Sequence, residues 1–175
     1  MSLSRPAVLS IAASDPTGGA GLQADLLTLA ALGCHPLTVV TALTAQDTRG
    51  VEGLLPIAPE WILRQGRVLL ADIGVSAIKI GVLGSAEAVG AVATLLAEHP
   101  GVPAVLDPVL ASGRGDALSD AGTLQAMRAD LLPRIAVATP NSVEARRLAG
   151  APADANLAEC AGRLAALGCR HVLVT

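Results

Sequence analysis

The chain alternates short apolar runs with amphipathic segments in a regular strand–helix order. The apolar runs are continuous in Val, Leu, Ile and Ala, which is typical of strands covered on both faces. The pattern predicts strands at residues 8–13, 36–45, 77–80, 104–107, 135–139 and 171–175. It predicts helices at residues 22–32, 60–71, 86–98, 119–131, 142–149 and 156–167. A repeated strand–helix order implies an α/β fold with a parallel sheet and right-handed crossovers.

Residues with capping preferences mark several predicted helix ends. Gly33, Gly150 and Gly168 follow predicted helices, where glycine commonly ends a helix. Ser119 and Asn156 are the predicted N-caps. No repeat, low-complexity tract or shift in composition divides the sequence, so residues 1–175 are predicted to form a single domain.

The sequence stops directly after the last predicted strand. In a doubly wound sheet the ligand-binding loops lie beyond the carboxyl ends of the strands. We therefore expect the C-terminal part of the fold, with at least one such loop, to lie beyond Thr175.

Composition narrows the possible functions. Hydrophobic residues make up 52% of the chain, which excludes a disordered protein, and Trp61 is the sole aromatic residue, so base stacking is hardly available. The net charge of -3 argues against nucleic acid and anionic membranes as partners. Cys34, Cys160 and Cys169 form no CxxC pair, which suits a reducing compartment. No apolar run reaches membrane-spanning length, so a cytoplasmic location is expected.

The segment from Ser14 to Gly21, Ser-Asp-Pro-Thr-Gly-Gly-Ala-Gly, links the first predicted strand to the first predicted helix. Such a turn leaves backbone N–H groups at a helix N-terminus, where the helix dipole adds to their attraction for negative charge. Glycines there let a ligand approach the backbone closely. The turn predicts a site for an anion or a polar ligand, and a plain tight turn is the alternative.

Polar residues follow several predicted strands on the same edge of the sheet: Asp15, Gln46, Asp107 and Asn141, with Glu144 just inside the next helix. Asp107 has apolar neighbours and is expected to be paired or metal-bound, because burying a lone carboxylate is costly. Together Asp107 and Glu144 suit Mg²⁺, which takes one or two carboxylates plus phosphates and water. Helix capping and surface solvation are the alternatives for this pair.

Two basic residues have two possible roles each. Lys79 is the sole lysine and lies near the end of a predicted strand. It either reaches a phosphate as a point charge or packs its stem while its ammonium group stays in water. Arg114 lies in a short glycine-rich loop and either covers a phosphate or belongs to the plain surface.

Two nucleotide-binding motifs are excluded or disfavoured. The chain has no GxxxxGK[ST] segment, so it is not a P-loop protein. Residues 19–24 fit the dinucleotide fingerprint GxGxxA, but residues 14–17 intervene between the strand and the glycines. The fingerprint turns directly off its strand, and Asp47 lies rather far along the chain for its ribose-binding acid. A dinucleotide site is therefore disfavoured.

Motifs distributed along the whole chain resemble those of a known family, the hydroxymethylpyrimidine/phosphomethylpyrimidine kinases of thiamine biosynthesis, in the ribokinase-like superfamily. The matching segments are SDPTGGAGLQAD (14–25), TALTAQDTRG (41–50), KIGVL (79–83), LDPV (106–109) and TPNSVE (139–144). Several motifs in the same order make a chance similarity implausible.

The resemblance implies a three-layer αβα ribokinase-like fold with a mostly parallel central sheet. It implies ATP-dependent phosphorylation of the hydroxymethyl group of 4-amino-5-hydroxymethyl-2-methylpyrimidine, and then of the resulting monophosphate. The implied cofactors are ATP and Mg²⁺. The implied partners are the small-molecule pyrimidine and a second copy of the chain in a homodimer.

The same resemblance implies roles for individual residues. Asp25 and Gln46 would hydrogen-bond the aminopyrimidine, in a pocket lined by Ala13, Val82 and Val109. The nucleotide and phosphate side would contain Asp107, Asn141 and Glu144, with Mg²⁺ held by Asp107 and Glu144. The reasoning from strand ends finds Gln46, Asp107, Asn141 and Glu144 independently, but it does not find Asp25, which it places inside a helix.

The chain departs from the family pattern at several positions. The family usually has Gly at the position of Ala13 and Met at that of Val82, and it often has a Lys-Ser-Gly-Asp loop where this chain has residues 111–116. A Gly-Thr-Gly-Cys or Gly-Ser-Gly-Cys motif, which supplies the anion hole and the catalytic Cys of the family, is absent. No catalytic residue is therefore expected within this chain, and the 175 residues alone are expected to be inactive.

Two other functions stay open on the sequence. A pyridoxal kinase of the same superfamily is the first, because some relatives with this glycine motif phosphorylate vitamin B6. A non-catalytic ligand-binding fragment is the second, because the expected catalytic motif is absent.

Overall fold

A mostly parallel sheet forms the centre of the protein. In a computed structural model that describes residues 5–112, 115 and 118–175, this sheet has seven strands. They are β1 (Ala7–Ser14), β2 (His35–Gln46), β3 (Val51–Pro56), β4 (Val75–Ile80), β5 (Ala104–Leu106), β6 (Val137–Ala138) and β7 (His171–Val172). Their order across the sheet is β3-β2-β1-β4-β5-β6-β7. The direction of winding reverses between β1 and β4, which is where open α/β sheets commonly bind ligands.

Helices follow most of the strands. They are α1 (Gly21–Ala31), α2 (Pro59–Asp72), α3 (Ala86–Glu98), α4 (Ala121–Ala126), α5 (Ser142–Ala149) and α6 (Leu157–Ala166). The chain continues from α4 through a π turn, Met127–Leu131, and a 3-10 turn, Leu132–Arg134. Within the described residues, none of the helices combines the length and the apolar character needed to cross a bilayer.

The two faces of the sheet carry different side chains. Leu9 of β1 and Ile78 of β4 belong to the main hydrophobic core, together with residues of α2, α3, α5 and α6. Successive residues of a strand point to opposite faces. Accordingly, Ser10 and Lys79 lie on the second face, where both contact Asp25 of α1. The sheet therefore has helices on both faces, as the αβα prediction requires.

The sequence analysis missed β3. This strand pairs antiparallel with the second half of β2, with Leu43 opposite Leu55 and Gln46 opposite Val51. Residues 51–56 read Val-Glu-Gly-Leu-Leu-Pro, so glutamate, glycine and proline interrupt the apolar run that would have marked a strand. The hairpin matters because it carries Gln46 beyond the parallel part of the sheet.

The remaining predicted elements all have counterparts, with corrections at their ends. The predicted strands 135–139 and 171–175 are too long, because β6 and β7 each have two residues. The predicted helix 119–131 begins later, at α4, and changes to a π turn at residue 127. Gly33, Gly150 and Gly168 do follow helix ends, each with a positive φ.

One of the two predicted N-caps is confirmed. The side chain of Asn156 accepts a hydrogen bond from the Ala158 N–H at the start of α6. At α4 the cap is Asp120 rather than Ser119, because the Asp120 carboxylate accepts from the Thr123 N–H at 2.7 Å. The Ser119 hydroxyl instead donates to a backbone carbonyl in the segment after β5.

Helices α2 and α3 pack closely at Gly66. A Cβ atom placed on Gly66 would lie 2.5 Å from Cδ1 of Leu95, and Leu95 is fully buried. A buried leucine has little freedom to move away, so the contact requires the absence of a side chain at position 66.

We expect Gly66→Ala to lower the free energy of unfolding by about 1–3 kcal/mol, because the added methyl group overpacks the contact between the helices. Urea unfolding followed by circular dichroism measures this change. The control is Gly162→Ala in α6, where nothing lies within 4 Å of the new Cβ. That variant is expected to gain about 0.5–1 kcal/mol from helix propensity. Equal effects of the two substitutions would contradict the packing argument.

Candidate active site

A cavity of about 300 Å³ opens at the edge of the sheet where β1, β2 and β4 end. Its walls also include the first turn of α1 and the segment that follows β5. A larger cavity of about 780 Å³ lies at the opposite edge, among the segments that precede β5, β6 and β7. The functional residues predicted from the sequence cluster at the first edge, so the smaller cavity is the candidate site.

The cavity brings together most of the residues singled out from the sequence. Its lining contains Ala13, Asp15, Asp25, Gln46, Val82, Asp107 and Val109. Lys79 lines it as well. The roles assigned to these residues stay predictions, but their common location does not depend on those roles. Arg114 lies outside the described residues.

Asn141 and Glu144 lie beside the cavity, where they form a capping box at the start of α5. The Asn141 side chain accepts from the Val143 and Glu144 N–H groups, both at 3.0 Å. Glu144 accepts from the Asn141 N–H at 2.9 Å and from the Leu110 N–H at 3.3 Å. Of the pair Asp107 and Glu144, for which helix capping was the alternative to a metal site, Glu144 does take part in a helix cap. The bond to Leu110 also ties α5 to the segment that carries Asp107.

Asp15 organises the glycine-rich turn between β1 and α1. One carboxylate oxygen accepts from the Thr17 N–H at 2.8 Å. The other accepts from the Ala20 N–H at 2.8 Å and from the Thr17 hydroxyl at 3.0 Å. Burial raises the pKa of Asp15, but these bonds and one from the Gln46 side chain outweigh it, so the pKa lies below its ordinary value. The carboxylate thus occupies the Thr17 and Ala20 N–H groups of the turn, and the site for an anion or a polar ligand at the start of α1 stays a prediction.

The turn also depends on Gly21, the first residue of α1. Its φ is +57°, and a Cβ there would lie 2.5 Å from the Ala13 carbonyl oxygen. Only glycine suits both the positive φ and the close contact. The absence of a side chain at Gly21 lets α1 begin directly against the end of β1, at the wall of the cavity.

Gln23 and Thr44 connect this turn to the neighbouring strand. The Gln23 amide accepts from the Asp15 N–H and donates to the Ser14 hydroxyl, both at 2.8 Å. The Thr44 hydroxyl of β2 donates to the Ser14 carbonyl at 2.8 Å. Side chains therefore fix the backbone of the turn from two directions, which makes the cavity wall rigid.

The sequence analysis missed the ion pair at the base of the cavity. Lys79 Nζ of β4 lies 2.9 Å from Asp25 Oδ2 of α1, and the Ser10 hydroxyl of β1 donates to the same oxygen at 2.6 Å. Asp25 lies four residues, about one helical turn, after Gly21, so the two residues lie on the same side of α1. That four-residue spacing is the signal in the sequence that points to Asp25 without the family resemblance.

Asp107 and Glu144 form the acidic side of the site. Burial raises the pKa of Asp107, against the positive charge of Lys79, and the negative charge of Asp25 raises it further. Burial also raises the pKa of Glu144, against two backbone hydrogen bonds, and the charge of Asp107 adds to this. Each carboxylate thus lies in surroundings that disfavour its negative charge, and a nearby cation would relieve both.

The carboxylates at this edge suit Mg²⁺ better than a metal whose ligands all come from the protein. Within residues 5–112, 115 and 118–175, no group of three or more His, Cys, Asp or Glu side chains is close enough to hold a metal ion. A magnesium ion needs only one or two carboxylates when water and phosphates supply its other ligands. Asp107 and Glu144 supply two carboxylates near this edge, and their assignment to Mg²⁺ stays a prediction.

Solved structures with the same fold are small-molecule kinases. A phosphomethylpyrimidine kinase from Clostridium difficile superimposes with a TM-score of 0.89 at 32% identity, over 97% of this chain and 74% of that one. The pyridoxal kinase from Staphylococcus aureus in complex with pyridoxal gives 0.87 at 30% identity, over 98% of this chain and 64% of that one. The predicted three-layer α/β architecture is confirmed.

Sequence comparison identifies the family. A sequence profile described as phosphomethylpyrimidine kinase matches residues 15–175. The hydroxymethylpyrimidine/phosphomethylpyrimidine kinase of Streptomyces coelicolor is 47% identical over 171 residues, and that of Escherichia coli is 39% identical over 169 residues. The chain belongs to the phosphomethylpyrimidine kinase family, as the motifs had indicated.

The two sequence matches cover this chain more fully than its relatives. They include 97% and 95% of this chain, but 63% of the Streptomyces protein and 64% of the Escherichia protein. The chain thus spans a little under two thirds of the length of these curated relatives.

We expect Asp15→Asn to lower the free energy of unfolding at pH 7 by about 1–3 kcal/mol, because an amide cannot accept all three hydrogen bonds of the turn. A depressed pKa in the folded state means that the carboxylate stabilises the fold above its ordinary pKa of 3.8. That stabilisation is lost as the pH falls through the lower folded value, so the difference between wild type and variant should shrink there. Chemical unfolding at several pH values measures it.

The matched control for charge removal is Asp120→Asn. Asp120 also has a pKa held below its ordinary value, by hydrogen bonds from Thr123, but it is an exposed helix cap. Asparagine caps helices about as well as aspartate, so the control should change stability by only a few tenths of a kcal/mol. A pH-independent loss in Asp15→Asn would contradict the role of the ionised carboxylate.

Proposed function

We propose that this chain forms the substrate-binding part of an ATP-dependent kinase for 4-amino-5-hydroxymethyl-2-methylpyrimidine and its monophosphate, in thiamine biosynthesis. The observation that carries the proposal is the meeting of Asp25, Gln46 and Asp107 in one cavity at the reversal point of the sheet. The family and the names of the relatives support the chemistry.

Asp25 and Gln46 suit an aminopyrimidine because they offer complementary hydrogen-bonding groups. The Asp25 carboxylate accepts, and it lines the cavity one helical turn after the start of α1. The Gln46 side-chain amide helps to lower the pKa of Asp15, and it has a carbonyl oxygen and a second N–H that can serve a ligand. An exocyclic amine and a ring nitrogen match this combination of acceptors and a donor. Ala13, Val82 and Val109 supply apolar walls for the ring.

The phosphate side of the proposed reaction lies at Asp107. Under this proposal, Asp107 and Glu144 would hold Mg²⁺, and the ion would neutralise negative charge on the nucleotide phosphates during transfer. Asn141 keeps Glu144 oriented through the capping box at the start of α5. Solved relatives in complex with ADP and AMP-PCP support a nucleotide as the phosphate donor.

A pyridoxal kinase is the second candidate. Solved pyridoxal kinases share the fold at 30–31% identity, and one of them holds pyridoxal. The charge of the cavity favours the pyrimidine, because pyridoxal offers a phenolic oxygen and an aldehyde where the aminopyrimidine offers an amine. Acceptor groups placed against the Asp25 carboxylate would leave it with its protein donors, Lys79 and Ser10, and no donor from the ligand.

The proposed setting is a cytoplasmic homodimer. An exposed groove between β2, β3 and α2 has Leu43, Leu55 and Trp61 among its lining residues and offers apolar surface for a second copy. Free cysteines among the described residues, Cys34, Cys160 and Cys169, are compatible with a reducing compartment.

Isothermal titration calorimetry with each ligand tests the proposal. The hydroxymethylpyrimidine is expected to bind at least about tenfold more tightly than pyridoxal, since a site built for an N–H donor rejects a ligand that lacks it. The reverse order of affinities would favour the pyridoxal kinase. Failure of the protein to bind either compound would contradict both candidates.

We expect Gln46→Ala to weaken pyrimidine binding by about 1–3 kcal/mol, because the amide's partners on the ligand lose a hydrogen bond in a desolvated site. The matched control is Gln65→Ala, because Gln65 of α2 bonds to the Val40 backbone, outside the cavity. The control should leave the affinity unchanged. An unaltered affinity in Gln46→Ala would remove Gln46 from the site.

A further inference from the structure

Lys79 and Asp25 form an ion pair that differs in exposure from the pair between Arg67 and Glu98. The Lys79 and Asp25 side chains are only 28% and 18% exposed, and they line the candidate site. The pair between Arg67 and Glu98 joins side chains that are 52% and 37% exposed on α2 and α3. Exposed pairs contribute little, whereas a charge in a partly buried pair depends strongly on its partner.

Both described bonds to the Asp25 side chain go to the same oxygen. Lys79 Nζ approaches Oδ2 at 2.9 Å, and the fully buried Ser10 hydroxyl donates to Oδ2 at 2.6 Å. Neither bond engages Oδ1. Two donors from neighbouring strands β1 and β4 therefore fix the rotation of the carboxylate and leave Oδ1 as its acceptor for a ligand.

The Lys79 ammonium group lies close to Gly81, at the end of β4. A Cβ atom at Gly81 would lie 3.1 Å from Nζ, so the glycine leaves room for the group beside the end of β4. The positive charge also acts on Asp107, whose pKa it lowers against the effect of burial. Lys79 thus lines the same cavity as the carboxylate assigned to the pyrimidine, which it contacts, and the carboxylate assigned to the phosphates.

We propose that Lys79 is a positioning residue for the substrate: with Ser10 it holds Asp25 Oδ2 so that Oδ1 accepts from the exocyclic amine of the pyrimidine. This role differs from both roles that the sequence left open, a phosphate contact and a solvated surface lysine. It rests on the proposed function, because it assumes an amine donor in the cavity. Lys79 acts through Asp25 and does not itself contact the reacting atoms.

A double-mutant cycle on ligand affinity tests this role. Calorimetry with the hydroxymethylpyrimidine compares wild type, Lys79→Met, Asp25→Asn and the double variant. Lys79→Met is expected to weaken binding about tenfold or more, because the carboxylate loses a charged partner that fixes it. Since Lys79 acts through Asp25, the double variant should bind no more weakly than Asp25→Asn alone. Additive losses, or wild-type affinity in Lys79→Met, would overturn the proposal.

Two further variants separate positioning from a general structural effect. Lys79→Arg keeps the charge and should recover a large part of the affinity lost in Lys79→Met. Arg67→Met breaks the exposed pair on α2 and should leave the affinity within about twofold of wild type, as expected for a surface ion pair far from the ligand. Equal losses in Arg67→Met and Lys79→Met, or no recovery in Lys79→Arg, would contradict a specific role for the Lys79 ammonium group.

The failure of the proposed function is distinguishable from the failure of this inference. If wild type binds no hydroxymethylpyrimidine, the function is wrong, and the ion pair is then tested by melting temperatures of the same four proteins. Coupled residues should give a double variant whose loss in melting temperature is smaller than the sum of the single losses. Additive losses would show that the pair does not act as a unit and would overturn the inference by itself.

Discussion

The free-energy cost of burying carboxylates determines much of the local structure at the carboxyl ends of the parallel strands. Asp15, Asp25, Asp107 and Glu144 all gather where the parallel strands end, and each lies at least partly buried. A buried carboxylate destabilises a fold unless donors or positive charge compensate it. Much of the local structure, from the glycine-rich turn to the capping box of α5, consists of donors that meet this requirement.

The groups that stabilise the negative charge differ among the four carboxylates, which indicates different roles for them. Backbone N–H groups and a hydroxyl surround Asp15, so its role is to hold the turn. Asp25 has a serine and a lysine at one oxygen. For Asp107 and Glu144, burial outweighs the compensation and raises both pKa values. Raised carboxylate pKa values occur at ligand sites and also in structural networks, and Glu144 takes part in such a network through the Asn141 and Leu110 N–H groups.

Sequence patterns predicted the parts of this protein that depend on local chemistry. Continuous apolar runs located the parallel strands, and the alternation of strands and helices predicted a parallel sheet. The convergence of Gln46 and Asp107 followed from topology alone, since parallel strands end at one edge. By contrast, β3 was not predicted, because its residues have a low strand propensity and the strand is stabilised by pairing with β2. The N-cap of α4 is Asp120 and not the adjacent Ser119. Both residue types are common N-caps, so capping preference does not distinguish the two positions.

The contacts that sequence could not predict are those between distant segments. Lys79 and Asp25 are separated by 54 residues, and neither has a neighbour in sequence that hints at the pairing. Their meeting depends on the register of β4 beside β1, where Lys79 pairs with Ser10, and on α1 packing against β1 so that Asp25 reaches both side chains. The same register also places the Lys79 charge near Asp107. The cavity lining contains one lysine and several carboxylates, so hydrogen-bond acceptors are in excess. Under the proposed function, the aminopyrimidine would bring donors and the metal-bound phosphate would bring a cation to this lining.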